Sequence, residues 1–356
     1  MAWIGLRNKH GGWFKPKQQS NCDMPHEWLM RGSIVVETRA SAEARPQTLF
    51  SFDRSWPKNG RFSVQALPRG GLIMVDSAGE ELVHATMPYV ADGRLDVLLL
   101  TYSWDSEAGW ARLTLERPES DQLQSVELSD PLPVRMDDLN TALGLGCHCD
   151  IDEEVTFVAV SDMIEPVGPM PALTADVPIR TVDGIKTAAT IRRGDNVVTY
   201  DGDNVPVLQV IKRTVPAKGS FRPIRLRAPY FGLRQDIVVS PQQRLVMNGS
   251  QVEYMFGREA VLVPARHLVN DRSAFLARGP DLVTYYHLLL PGHEVILSGD
   301  CPIESLYVGR LRRKPDALAK SVLAQFDRSR LPEHAKPVWP VLKPFEAVTL
   351  AMTRAA

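Results

Sequence analysis

The side chains able to do chemistry in this chain are few and gather in two places. Cys147-His-Cys149 is the one cluster of soft metal ligands, with Cys22 and His26 far upstream. Three adjacent residues cannot all wrap one tetrahedral ion, but Cys147 and Cys149 with Cys22 and His26 would make a Cys3His set. The spacing of Cys22 and His26 fits no strong zinc motif, so ordinary thiols and a surface imidazole compete with that set, and no metal or cofactor is expected. The second place is the later half of the chain, with His287, His293 and the loop Ser240-Pro-Gln-Gln-Arg244. An imidazole exchanges protons near neutral pH; the amide of Gln243 can donate a hydrogen bond but cannot do so. Cys301, the remaining thiol, reads as buried. Neither a nucleophile elbow nor a His-Glu-x-x-His run occurs, which argues against a general hydrolase or a metalloprotease.

A chain of 356 residues is long enough for two cores, and its 44% apolar and 23% charged content is that of a globular protein. Basic and acidic side chains nearly cancel, 41 against 42, with no basic stripe, so a nucleic-acid partner is not expected. No apolar run reaches the ~18 residues of a membrane span. Met1 to Pro25 has no apolar core of a secretory signal, so the expected location is cytoplasmic, or outside by a route that reads no N-terminal signal. Four cysteines are too few for a disulfide framework.

The elements that must position these groups are strands. Residues 1–31 are polar, carry three Trp and show no sustained periodicity, so they read as a loosely structured lead-in. Residues 32–164 then alternate with period two in short β-branched and aromatic runs such as Ser33–Arg39, Gln47–Asp53 and Arg61–Leu67. Gly70-Gly71, Ala78-Gly79 and Ala108-Gly109 supply turns, and the series predicts an antiparallel β-sandwich. Asp137–Leu143 is a candidate short helix. The pair Arg94–Asp105 and Gly109–Glu116 resembles the strand pair of concanavalin-like and laminin-G-like sandwiches, which implies a recognition role with a carbohydrate or protein ligand. Tyr102, Trp104 and Trp110 are taken singly as sheet-packing residues. Residues 165–171, Glu-Pro-Val-Gly-Pro-Met-Pro, read as an extended linker.

From residue 172 the pattern is again nearly all β, in a different order. Thr181 with Asp183-Gly184, the Arg193-Gly194-Asp195 turn, the Ser240-Pro241 loop, Val263–Val269, Tyr286-His287-Leu288 and His293-Glu294-Val295 follow one another in sequence. In that order they resemble the bacterial Hint domain, the self-processing module shared by hedgehog C-terminal regions and inteins, over residues 172–309. The resemblance implies a first residue, Cys or Ser, that attacks the preceding carbonyl, and a loop His that protonates the departing nitrogen. Polar neighbours would hold the oxyanion.

Laid on this chain, the scissile bond is Pro171–Ala172, and two positions depart. Ala172 stands where the nucleophile belongs and Gln243 where the loop His belongs. Ser240 reads either as a hydrogen-bonding partner in that loop or as a turn-initiating Ser. His287 and His293 fall at positions that line the site in relatives, with a hydrogen-bonded core histidine the alternative for His287. Thr174 is two residues too far to substitute as nucleophile.

Residues 310–356 read as a helical tail: Pro315–Phe326 is amphipathic, and Lys343–Met352 forms a second helix with Pro344 in its first turn. Two functional readings follow. One is a Hint domain that no longer cleaves and serves as a scaffold or interaction module for a lectin-like sandwich. The other is active cleavage before Ala172, releasing the N-terminal domain.

Overall fold

The computed structural model describes residues 2–15, 28–40, 45–68, 70–89, 97–119, 122–144 and 151–355. It divides into two compact units, Met1–Val167 and Gly168–Ala356. Both are built from antiparallel strands, so the expected mainly β architecture is what forms.

In the first unit a seven-stranded sheet has Arg31–Arg39 in fourth place, between Val97–Asp105 and Val155–Ser161. Alternation explains this strand: Ile34 and Val36 point into the core with Leu98, Leu100, Tyr102 and Trp104 of the neighbouring strand. A four-stranded meander, Gln47–Arg54, Gly60–Ala66, Leu72–Ala78 and Glu81–Met87, closes the sandwich from the other side. Rings join the two sheets. Phe52 stacks on Phe62 at 5.1 Å, Phe62 meets Tyr102 at 5.5 Å, and Tyr102 stacks on Trp104 at 5.5 Å. Each such pair adds about 0.5–1.5 kcal/mol beyond the area it buries. The short helix is Met136–Leu143, whose Leu139, Ala142 and Leu143 are buried.

The lead-in needs correction. Trp3–Asn8 pairs with Val155–Ser161 and forms a hairpin with Gly11–Phe14, so the sheet extends to the start of the chain. Trp3, Ile4 and Leu6 are all buried, which erases the period-two signal, and the partner strand lies about 150 residues away in sequence. Trp28–Leu29 likewise pairs with Val134–Arg135.

The second unit has three sheets. The largest runs Gln209–Pro216, Leu282–Leu289, Leu173–Thr174, Ile237–Val239, Ile224–Leu226 and Ala274–Leu276. A second contains the hairpin Pro178–Thr181 and Gly184–Thr187, whose turn needs Gly184 at φ 109°. The third orders Ala260–Pro264, Arg244–Asn248, Cys301–Glu304 and Val295–Ser298. One apolar cluster, including Leu173, Ile179, Val239, Leu245 and Ile303, unites all three.

The tail is less helical than its pattern suggests. The helix at Pro315 ends at Ala319. There Ser321 donates to the Leu318 carbonyl and accepts from the Leu323 N–H, turning the chain so that Leu318 and Leu323 both enter a cluster with Leu306, Val308 and Leu331. The last helix, Pro344–Ala355, starts where Glu346 accepts from the Lys343 N–H at 2.8 Å, and it buries Ala347 and Leu350. Among the described residues no helix is long and apolar enough to cross a membrane.

Candidate functional site

Residues 170–172, near the start of the second unit, have no ladder pairing and are buried, Ala172 at 2% exposure. The sheet then takes hold of the backbone from both sides. The Ala172 N–H donates to the Tyr286 carbonyl at 3.2 Å, and the Ser240 N–H donates to the Ala172 carbonyl at 2.7 Å. Leu173 continues this, paired with Tyr286 on one side and Val239 on the other. The Ala172 methyl therefore lies between the strand that carries His287 and the start of the Ser240 loop.

That loop is a tight turn with Pro241 in its second position. The Gln243 N–H donates to the Ser240 carbonyl at 3.0 Å, and the Ser240 hydroxyl accepts from the Gln242 N–H at 3.3 Å. The turn presents Gln243 inward, fully buried. Its Nε2 donates to the carbonyls of Arg244 at 3.0 Å and Glu304 at 3.2 Å, while its Oε1 is buried with no hydrogen-bond partner.

The Glu304 carbonyl is shared. His287 Nε2 lies 3.1 Å from it, so a neutral His287 carries its proton on Nε2 and leaves a lone pair on Nδ1. Burial holds this imidazole below its ordinary pKa, against the pull of the Glu304 carbonyl and carboxylate and of the nearby Met170 carbonyl. The ring is a neutral base beside residues 170–172.

His293 stands on the other end of Glu304. Its Nε2 is 3.2 Å from the Glu304 carboxylate, which also meets Arg244 Nη1 at 3.4 Å. Its Nδ1 accepts from the Val338 N–H at 3.0 Å, so the neutral ring has its proton on Nε2, which lies near the carboxylate without a hydrogen bond to it. The His293 ring lies 5.0 Å from Tyr307 and 5.8 Å from His334.

The structure thus brings together Ala172, Ser240, Gln243 and His287. His293 joins them only through Glu304. Glu304, Arg244 and His334 escaped the sequence reading; the available signal was a lone carboxylate in the apolar strand Cys301–Glu304. Thr174 is committed elsewhere, donating to the Val238 carbonyl at 2.7 Å. Burial pushes the Cys301 thiol up to about 12, which removes it as a nucleophile. Cys22, His26, Cys147 and Cys149 lie outside the described residues, and among those described no group of three or more His, Cys, Asp or Glu could hold a metal ion.

Chemically the arrangement offers a neutral base and hydrogen-bond donors around residues 170–172, but no hydroxyl or thiol on Ala172 itself. No curated protein matches the chain. Among solved structures, the chain is similar to the CBM40 domain of Ruminococcus gnavus IT-sialidase at 17% identity, covering 38% of this chain and 77% of that one with a TM-score of 0.29. The same domain bound to alpha2,3 sialyllactose matches at 15% identity, 38% and 77% coverage and a TM-score of 0.27. Scytalido-glutamic peptidase with a peptide-based transition state analog matches at 9% identity, 67% and 97% coverage and a TM-score of 0.21. These low TM-scores carry no argument about activity. The family comparison is more specific, matching the Hint domain over residues 171–310, the span that begins one residue before Ala172 and holds Ser240, Gln243, His287, His293 and Glu304. Residues 171–310 of this protein are a Hint domain.

Proposed function

We propose that this Hint domain keeps the self-processing framework without the reaction, and serves as a stable β scaffold or interaction module for the N-terminal sandwich. The observation that carries the reading is Ala172. Its backbone is held by Tyr286 and Ser240, and its side chain is a buried methyl that can attack nothing. Gln243 supports the same conclusion, because its amide cannot pass a proton to a leaving nitrogen. Loss of a general acid alone removes on the order of 10²–10⁴ in rate, and loss of the nucleophile removes the covalent route. For the sandwich, a carbohydrate or protein ligand is the proposed partner, resting on its lectin-like strand pattern.

The test is the intact mass of the purified chain before and after long incubation with a thiol. One full-length species is expected. A fragment beginning at Ala172 would overturn the reading in favour of cleavage that releases the sandwich. Ala172→Cys and Gln243→His, singly and together, then ask whether the geometry survives. A folded double variant that stays uncleaved would mean that the site lies elsewhere or has lost more than these two side chains.

A further inference from the structure

The second unit contains a cavity of about 610 Å³ between the last helix and the Tyr230 turn, apart from the Ala172 site. This is within the ~300–1,000 Å³ range of small-ligand sites. Leu268 and Leu350, both nearly fully buried, line it, and the rings of Tyr200, Tyr230 and Phe231 stand around it. Phe231 is held at φ 59°, an uncommon backbone for a bulky residue. Behind it, a Cβ on Gly232 would meet the Asp300 carbonyl at 2.9 Å, so this wall is closely packed.

The polar groups of the cavity are biased toward donors. The Tyr200 hydroxyl accepts from Asn248 Nδ2 at 3.1 Å and the Tyr230 hydroxyl from Arg272 Nε at 3.2 Å, which leaves both phenolic protons to donate. Asp300, the one carboxylate lining the cavity, is already bound by Arg180 at 3.0 Å and by Arg234 at 2.9 Å. Arg354 contacts only neutral acceptors, the Met247 sulfur and the Asn248 carbonyl, and no carboxylate among the described residues lies within ion-pair distance of it. An exposed guanidinium with no carboxylate beside it among the described residues, next to two spare phenol donors, favours an acceptor-rich ligand of negative charge.

We propose that this cavity binds a small organic anion, a carboxylate or sulfonate on a flat apolar body, with the anion at Arg354 and the Tyr hydroxyls and the body against Leu268 and Leu350. The site is independent of whether the bond before Ala172 is cleaved.

The probe is 8-anilinonaphthalene-1-sulfonate, followed by its fluorescence on the full chain, with N-phenyl-1-naphthylamine as the same body without the sulfonate. Saturable one-to-one binding of the sulfonate is expected. Arg354→Gln should weaken it by about 10- to 100-fold, the loss of one charge-assisted hydrogen bond, and leave the uncharged probe unchanged. Tyr230→Phe, which keeps the ring and removes the donor, should weaken the sulfonate by about 3- to 10-fold and serves if Arg354→Gln fails to fold. Absence of saturable binding, equal affinity for both probes, or indifference of the sulfonate to the folded variants would each overturn the proposal.

Discussion

Acidification from pH 7 to 4.5 should loosen the second unit through His334. This ring is 3% exposed; its Nδ1 accepts from the Val308 N–H at 3.2 Å and its Nε2 lies 3.4 Å from the Leu290 carbonyl. Protonation would turn the accepting nitrogen into a donor facing a donor. Burial first, and then the neighbouring His293 ring, push its pKa down to about 4, against a small opposing pull from the Leu290 carbonyl. Because the folded value lies below the unfolded one of about 6.5, the unfolded chain takes the proton first. The contribution is therefore full above pH ~6.5 and is lost as pH falls toward 4. At pH 4.5 the loss works out at about 2–3 kcal/mol, roughly 30- to 150-fold in the open population.

The assay is native-state hydrogen exchange of the Leu282–Leu289 strand, corrected for the intrinsic pH dependence of exchange. His334→Gln removes the titration while keeping an acceptor and a donor. His267, also pushed down to about 4 by burial and Arg266, titrates in the same window in both proteins, so the difference between them isolates His334. The wild type should lose more protection than His334→Gln by that factor. Equal losses in a folded variant would refute the reasoning.

Two further outcomes follow from buried groups. In the sandwich, Arg54 is clamped to Asp76 by two bonds of 2.9 Å with both side chains buried, so Asp76→Asn should cost about 3–5 kcal/mol by leaving the guanidinium uncompensated; a change below about 1 kcal/mol in a denaturation curve followed by Trp fluorescence would contradict this. Cys301 should resist iodoacetamide at pH 8 in the folded protein and react in urea, as read by mapping of its peptide; labelling of the native thiol would show that the strand opens.

Legibility in the sequence followed locality. The meander from Gln47 to Met87 was readable because each strand pairs with the next across a short turn and its residues are β-branched or aromatic at alternate positions, as in Phe50, Phe52, Phe62 and Val64. Trp3–Asn8 was not, because its first four residues are buried in succession, which loses the period, and its partner is remote. The helix at Pro315 was overextended for a related reason: the spacing of Leu318, Val322 and Phe326 suits a helix face, yet Ser321 turns the chain and the same apolar residues pack without one. Around Ala172, the loop and the two histidines stood out as residue types. Glu304 did not, because its carbonyl does half of its work and a backbone group leaves no mark on residue identity.

On the proposed reading, that last point bears on how a self-processing fold loses its reaction and persists. The bonds that fix residue 172 run from backbone to backbone, to Tyr286 and from Ser240, so replacing a thiol by a methyl leaves them intact. At the loop position, Gln243 supplies a donor to the Glu304 carbonyl that His287 also reaches, so the strand crossing is tied down without an imidazole. The substitution is not free of cost: Gln243 Oε1 is buried without a partner, a penalty of about 1–3 kcal/mol. An apolar side chain would avoid that penalty, so the polar contact with Glu304 is what a glutamine offers there. On the proposed reading, the framework outlives the chemistry because the groups that position the peptide are not those that would cut it.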